Sequence, residues 1–150
     1  SGIMPLRAVE YANMQTMFAV NYFAPVFMAK GFADKRNNNG SGSAMVFIAS
    51  RGGVHTDPGM TSYAGTKGAL IATMQSIAKE LAPTGVRVNC VSPALIQTNM
   101  ADETSRQYAE GKYPMGLGTV PDVANMIVYL LAEQSHWISG QNYLMDCGMA

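Results

Sequence analysis

Between Ala44 and Pro93 the chain reads AMVFIASRGGVHTDPGMTSYAGTKGALIATMQSIAKELAPTGVRVNCVSP. Ala44 to Ala49 is an unbroken apolar run of strand length, the pattern of a strand covered on both faces. From Thr61 to Leu81 the apolar residues take helical spacing, and the run stops at Pro83-Thr84-Gly85. Val86 to Val91 is a second strand, ended by Pro93. Strand, helix and strand in that order form a crossover unit whose strands lie parallel.

The pattern continues on both sides. Glu10 to Ala33 carries Met14, Met17, Phe18, Phe27 and Met28 at helical spacing, with Gly31 near its end and Pro25 placed to kink or reset it. The polar run 37–43, Asn-Asn-Asn-Gly-Ser-Gly-Ser, suits a connection into the first strand. Residues 94–118 show no clear period and read as an excursion with room for one short helix. Pro121 starts a third helix, with Asp122 favourable in its first turn and an end near Glu133. Gln141 to Met145 is a short last strand, with Trp137 expected to pack beneath it. The alternation predicts an α/β fold, a parallel sheet with flanking helices.

Composition limits the function classes. Ten Lys and Arg balance ten Asp and Glu, and charged residues make up 13%, about half the usual share of a soluble domain. A net charge of zero offers no handle for nucleic acid or an anionic membrane surface. The longest apolar stretch, Val123 to Ala132, is too short to span a bilayer. Cys90 and Cys147 form neither a disulfide framework nor a metal motif, and His55 and His136 lack partners at ligand spacing, so no metal site and a cytoplasmic location are expected. So poorly charged a chain has an apolar surface or hides part of it against a neighbour.

In a parallel sheet, ligands bind beyond the carboxyl ends of the strands. Here those ends are Ser50 followed by Arg51-Gly52-Gly53, and Ser92-Pro93-Ala94. Thirteen residues after Ser50 comes Tyr63, and Lys67 follows four later, on the same face of a helix. A free phenol titrates near pH ~10, so proton transfer near neutrality asks for a drop of about 3 units, roughly 4 kcal/mol. One cation about 4 Å away at an effective dielectric of 20 supplies on the order of 4 kcal/mol. Lys67 is sufficient, and Ser50 can donate a hydrogen bond to a carbonyl beside the phenol. The four-residue spacing alone is weak: Tyr108 and Lys112 repeat it, without a strand-end serine upstream, and read as a surface pair.

The whole arrangement resembles the short-chain dehydrogenase/reductase family. The matching residues are Val20-Asn21-Tyr22-Phe23, Phe47-Ile48-Ala49-Ser50, Tyr63-Ala64-Gly65-Thr66-Lys67-Gly68-Ala69, Gly85 to Pro93, Thr98, and Ile138-Ser139-Gly140-Gln141 with Asp146. Ser1-Gly2-Ile3 is similar to the tail of the family's Asn-Asn-Ala-Gly segment. The spacing is most similar to 3-oxoacyl-(acyl carrier protein) reductase-like members. The resemblance implies a Rossmann-type sheet and an NAD- or NADP-dependent oxidoreductase that interconverts a ketone and a secondary alcohol. It implies that Tyr63 exchanges the proton, Ser50 polarises the carbonyl, Lys67 supports Tyr63 and reaches the nicotinamide ribose, and Asn21 holds a relay water. Pro93, Ile96 and Thr98 would contact the nicotinamide, and residues 94–118 would form the substrate lid. Helices near 10–31 and 61–82 would make a homo-oligomer contact, as a dimer or tetramer. For the substrate itself, a small carbonyl or alcohol compound, Met100 and Met115 flank the lid as apolar contacts. Arg51 is a candidate for a substrate carboxylate or phosphate, or else a solvated loop charge.

The chain departs from the family at Pro93-Ala94, where the pattern has Pro-Gly, and at Asp146-Cys147-Gly148, where it has Asp-Gly-Gly. No turn of the form T-G-x-x-x-G-x-G occurs in residues 1–150. The 150 residues therefore read as a single partial domain that lacks the amino-terminal nucleotide-binding half, and the chain alone is expected to be inactive. The competing expectation is a catalytically silent half-fold that serves as an interaction partner for a chain supplying that half.

Overall fold

The computed structural model describes residues 3–98, 109 and 111–149. Helix α1 (Tyr11–Phe18) passes through a π turn (Ala19–Phe23) into α2 (Ala24–Ala33). Strand β1 (Ala44–Ile48), a 3₁₀ turn (Arg51–Gly53), helix α3 (Thr61–Leu81) and strand β2 (Arg87–Pro93) follow. Two-residue strands β3 (Ile96–Gln97) and β4 (Gly118–Thr119) lead to helix α4 (Val120–Leu131) and strand β5 (Asn142–Met145).

The sheet has the order β1-β2-β5, and both pairings are parallel. Ala44 faces Arg87 and Ile48 faces Val91, while Cys90 faces Asn142 and Pro93 faces Met145. This register brings Ser50, Ala94 and Asp146 to one end of the sheet. Alternate residues of a strand face opposite sides. Val88 and Cys90 join Phe47, Leu70, Met74, Ala78 and Leu81 in one core beneath α3. Arg87, Asn89 and Val91 point the other way. Arg87 Nη1 donates to the Leu130 carbonyl at 2.7 Å and to Ser135 Oγ at 2.9 Å, and Nη2 donates to the Ala132 carbonyl at 3.1 Å. A buried arginine thus caps the carboxyl end of α4, where the helix leaves carbonyls without internal donors.

Pro25 does reset the first helix, by a π turn. Proline has no N–H to give the Asn21 carbonyl and its ring crowds that oxygen; the widened turn relieves the crowding. The ends of the excursion pair as β3 and β4 in parallel, Ile96 with Gly118 and Gln97 with Thr119. Ala109 between them is helical, and the other residues with room for the expected short helix lie outside the described residues. Two-residue strands carry no periodicity to read. Trp137 corrects the expectation that it packs beneath the last strand, since it is 91% exposed; the turn after α4 lifts it away while Ser135 takes the buried place.

Candidate active site

The 3₁₀ turn after β1 sits against α3 because two glycines allow it. A Cβ on Gly53 would come 2.8 Å from the Lys67 carbonyl carbon and 2.9 Å from the Gly68 nitrogen, and one on Gly68 would come 3.3 Å from the Gly53 oxygen. Gly52 lies between Ser50 and Tyr63: a Cβ there would come 2.8 Å from Met60 Cε and 3.6 Å from both Ser50 Oγ and Tyr63 Cε1. Ser50 caps the turn, its Oγ accepting from the Gly52 N–H at 3.1 Å. Ser50, Arg51 and Tyr63 line one cleft of about 560 Å³, together with Gly52, His55, Asp57, Met60, Leu95 and Tyr113.

Lys67 stands one helical turn beyond Tyr63. Its Nζ donates to the Ile48 carbonyl at 3.0 Å and lies 5.9 Å from the Tyr63 ring centroid. An ammonium has three donors, and the strand end takes one. Burial holds the Lys67 ammonium below the ordinary lysine value. Burial also pushes the Cys90 thiol up to about 11, so Cys90 is an uncharged core residue at neutral pH. Asn21, from the π turn, donates through Nδ2 to Thr66 Oγ1 at 3.3 Å, and Thr66 donates to the Tyr63 carbonyl at 2.7 Å. Asn21 is therefore tied to the backbone behind Tyr63 and does not line the cleft.

Of the remaining candidates, Pro93 is buried at the end of β2, Ile96 lies in β3, and Thr98 follows it, half-buried. Ile96 and the exposed Met115 line a neighbouring pocket of about 740 Å³, which shares Ala94, Leu95 and Tyr113 with the cleft. Met100 and Tyr108 lie outside the described residues. Arg51 has a half-buried side chain, 17% exposed. Its Nη1 lies 3.7 Å from Asp57 Oδ2 and its Nε 3.9 Å from Asp146 Oδ2, and that Nε and Oδ2 have no hydrogen-bond partner.

Sequence reasoning missed Tyr113, whose hydroxyl accepts from the Leu95 N–H at 3.2 Å and pins the β2 mouth to the excursion. It also missed Thr66 and the Gly53–Gly68 approach. The adjacent glycines after Ser50 were the available signal for that approach; nothing local marked Tyr113. Among the described residues no group of three or more His, Cys, Asp or Glu could hold a metal ion, and no helix is long and apolar enough to cross a membrane.

Residues 3–150 match a family model described as enoyl-(acyl carrier protein) reductase. The chain is 33% identical over 146 residues to the 3-oxoacyl-[acyl-carrier-protein] reductase FabG of Thermotoga maritima, covering 95% of this chain and 56% of that protein. Among solved structures, a 4-hydroxyisoleucine dehydrogenase complexed with NADH superposes with a TM-score of 0.89 at 25% identity, over 99% of this chain and 63% of that one. A short-chain dehydrogenase from Burkholderia cenocepacia in complex with NADP gives 0.90 at 26% identity, over 98% and 60%. The chain spans somewhat more than half the length of the relatives it matches.

Proposed function

Because this chain belongs to the short-chain dehydrogenase/reductase family, we propose that it forms the catalytic part of an NAD(P)-dependent oxidoreductase that interconverts a ketone and a secondary alcohol. The observation that carries the reading is the meeting of Ser50 and Tyr63 on one cleft, with the Lys67 ammonium behind the phenol. The residues present fit the nicotinamide end of the cofactor: Tyr63 and Lys67 on α3, and Pro93, Ile96 and Thr98 at the β2 mouth. Bound there, it supplies or accepts the hydride. The 150 residues contain no glycine-rich turn for its pyrophosphate, so that cradle is assigned to the part of the fold that the relatives have in addition.

In the reducing direction Tyr63 gives its phenolic proton to the carbonyl oxygen. The Gly52 N–H occupies one lone pair of Ser50 Oγ, which leaves the Ser50 O–H to donate to the same carbonyl oxygen and polarise it. Lys67 stabilises the negative charge that develops on the phenol oxygen. Asn21 serves from behind: with proline at position 25, its carbonyl lacks the usual helical donor and can hold the water that returns a proton toward Lys67.

The test is turnover by the complete protein, with NADH or NADPH and a ketone. Tyr63→Phe removes the proton donor and is expected to lower kcat by about 10²- to 10⁴-fold while substrate still binds. Full activity in that variant overturns the reading. A wild-type protein without turnover that binds a nucleotide-binding chain would favour the silent half-fold instead.

A further inference from the structure

Arg51 follows Ser50 directly, and an uncompensated guanidinium there would make the cleft a receptor for carboxylate or phosphate groups. Its surroundings oppose that. Nη1 faces Asp57 at 3.7 Å and donates to the His55 carbonyl at 3.3 Å, while Nε faces Asp146 at 3.9 Å. Asp57 lines the cleft beside Arg51. Asp146 comes from the end of β5, is 8% exposed, and lines the neighbouring pocket. The Gly148 N–H anchors its other oxygen at 3.1 Å. One cation between two carboxylates leaves a net negative trio, screened little by solvent on the Asp146 side. Among the described residues the only other titratable groups lining the cleft are His55, Tyr63 and Tyr113. Lys67 lies behind Tyr63 with its ammonium on the Ile48 carbonyl.

From this we infer that Asp57 and Asp146 determine specificity: they cancel the Arg51 charge, so that the cleft selects uncharged carbonyl substrates over those bearing a carboxylate or phosphate. An anionic group that reached Arg51 in the cleft would meet Asp57 directly and the charge of Asp146 behind the guanidinium, and like charges brought together at a binding site discriminate against a partner. The inference rests on the carbonyl-reductase reading of the cleft and narrows its substrate class.

A matched pair of small ketones tests it: acetoacetamide, which is neutral, and acetoacetate, which is anionic. The complete protein is expected to favour acetoacetamide in kcat/KM. Asp57→Asn and Asp146→Asn should each shift the ratio toward acetoacetate by on the order of tenfold, and adding Arg51→Gln to either should abolish the shift. Raised salt should shrink these differences for Asp57 more than for Asp146. A wild-type preference for acetoacetate, or ratios that stay within about twofold in both aspartate variants, overturns the inference. Ligand-detected NMR titration with the same two compounds reads the same preference without turnover. If neither ketone is reduced, the reductase reading fails while the binding ratio still decides the charge argument.

Discussion

Cys147 shows how far one residue can be read from its type. The family pattern has glycine there, and Cys147 adopts φ 52, the only non-glycine residue with positive φ among the described residues. That conformation costs an L-residue about 1 kcal/mol or more, and glycine recovers most of it after its larger loss of chain entropy. Cys147→Gly is therefore expected to stabilise the protein by about 0.5–1 kcal/mol, raising Tm by roughly 1–4 °C. Cys147→Ala, which keeps the strain, should show no such gain. An equal rise in both variants, or a fall in the glycine variant, would show that the left-handed backbone is not the cause. Ala94, the other departure, is free of the problem because its φ is not positive. The residue types at 94 and 147 marked both places; only the backbone separates the strained one from the relaxed one. Arg51 carries the same lesson, since its partners Asp57 and Asp146 lie in a loop and in the last strand end, and no local pattern links them.

At the scale of elements, the contact between the Ser50 turn and α3 sets the site. The turn carries Ser50 and the helix Tyr63, the two proposed catalytic groups, so their separation depends on backbone meeting backbone at Gly53 and Gly68. Gly53→Ala must push the turn outward, because the atoms it would strike belong to the helix backbone. The expected cost is about 1–3 kcal/mol of stability, with a loss of kcat larger than that of Tm alone would give. Gly65→Ala is the control: the nearest atom to its Cβ is Phe18 Cζ at 3.8 Å, and alanine favours a helix interior by up to about 1 kcal/mol. Retained activity in Gly53→Ala would mean that the approach of turn to helix does not position Ser50. Long periodic elements were legible: α3 runs from Thr61 to Leu81 as its spacing predicts, and the sheet strands lie within about two residues of their predicted ends. The β3–β4 pair, the π turn and the Arg87 cap on α4 were not, because each depends on partners distant in the chain or on a choice among ways to absorb a proline.

For the whole molecule, the low charge and the exposed area lead to one conclusion. The chain exposes 9263 Å², whereas a compact globule of 16.0 kDa exposes roughly 7,400 Å². The excess, roughly 1,900 Å², is about twice what one partner contributes to an ordinary protein–protein interface. Much of what is exposed is apolar and follows the elements: Val20, Phe23, Phe27 and Met28 along the first helical rod, Ile48 on the strand β1 that forms one edge of the sheet, and Val128, Tyr129 and Leu131 on α4. Contiguous apolar faces and an open strand edge favour association. The 150-residue chain by itself is therefore expected to sediment as dimers or larger species at tens of micromolar, and to bind an apolar dye. Phe27→Lys with Met28→Lys should shift that distribution toward monomer, since neither side chain belongs to the buried core. The same chain should show no micromolar NADPH binding in a calorimetric titration, because a pyrophosphate cradle is missing from its sequence. A compact monomer that stays dispersed at those concentrations would show that the excess area is tolerated by water, and micromolar NADPH binding would show that the nicotinamide end alone suffices to hold the cofactor.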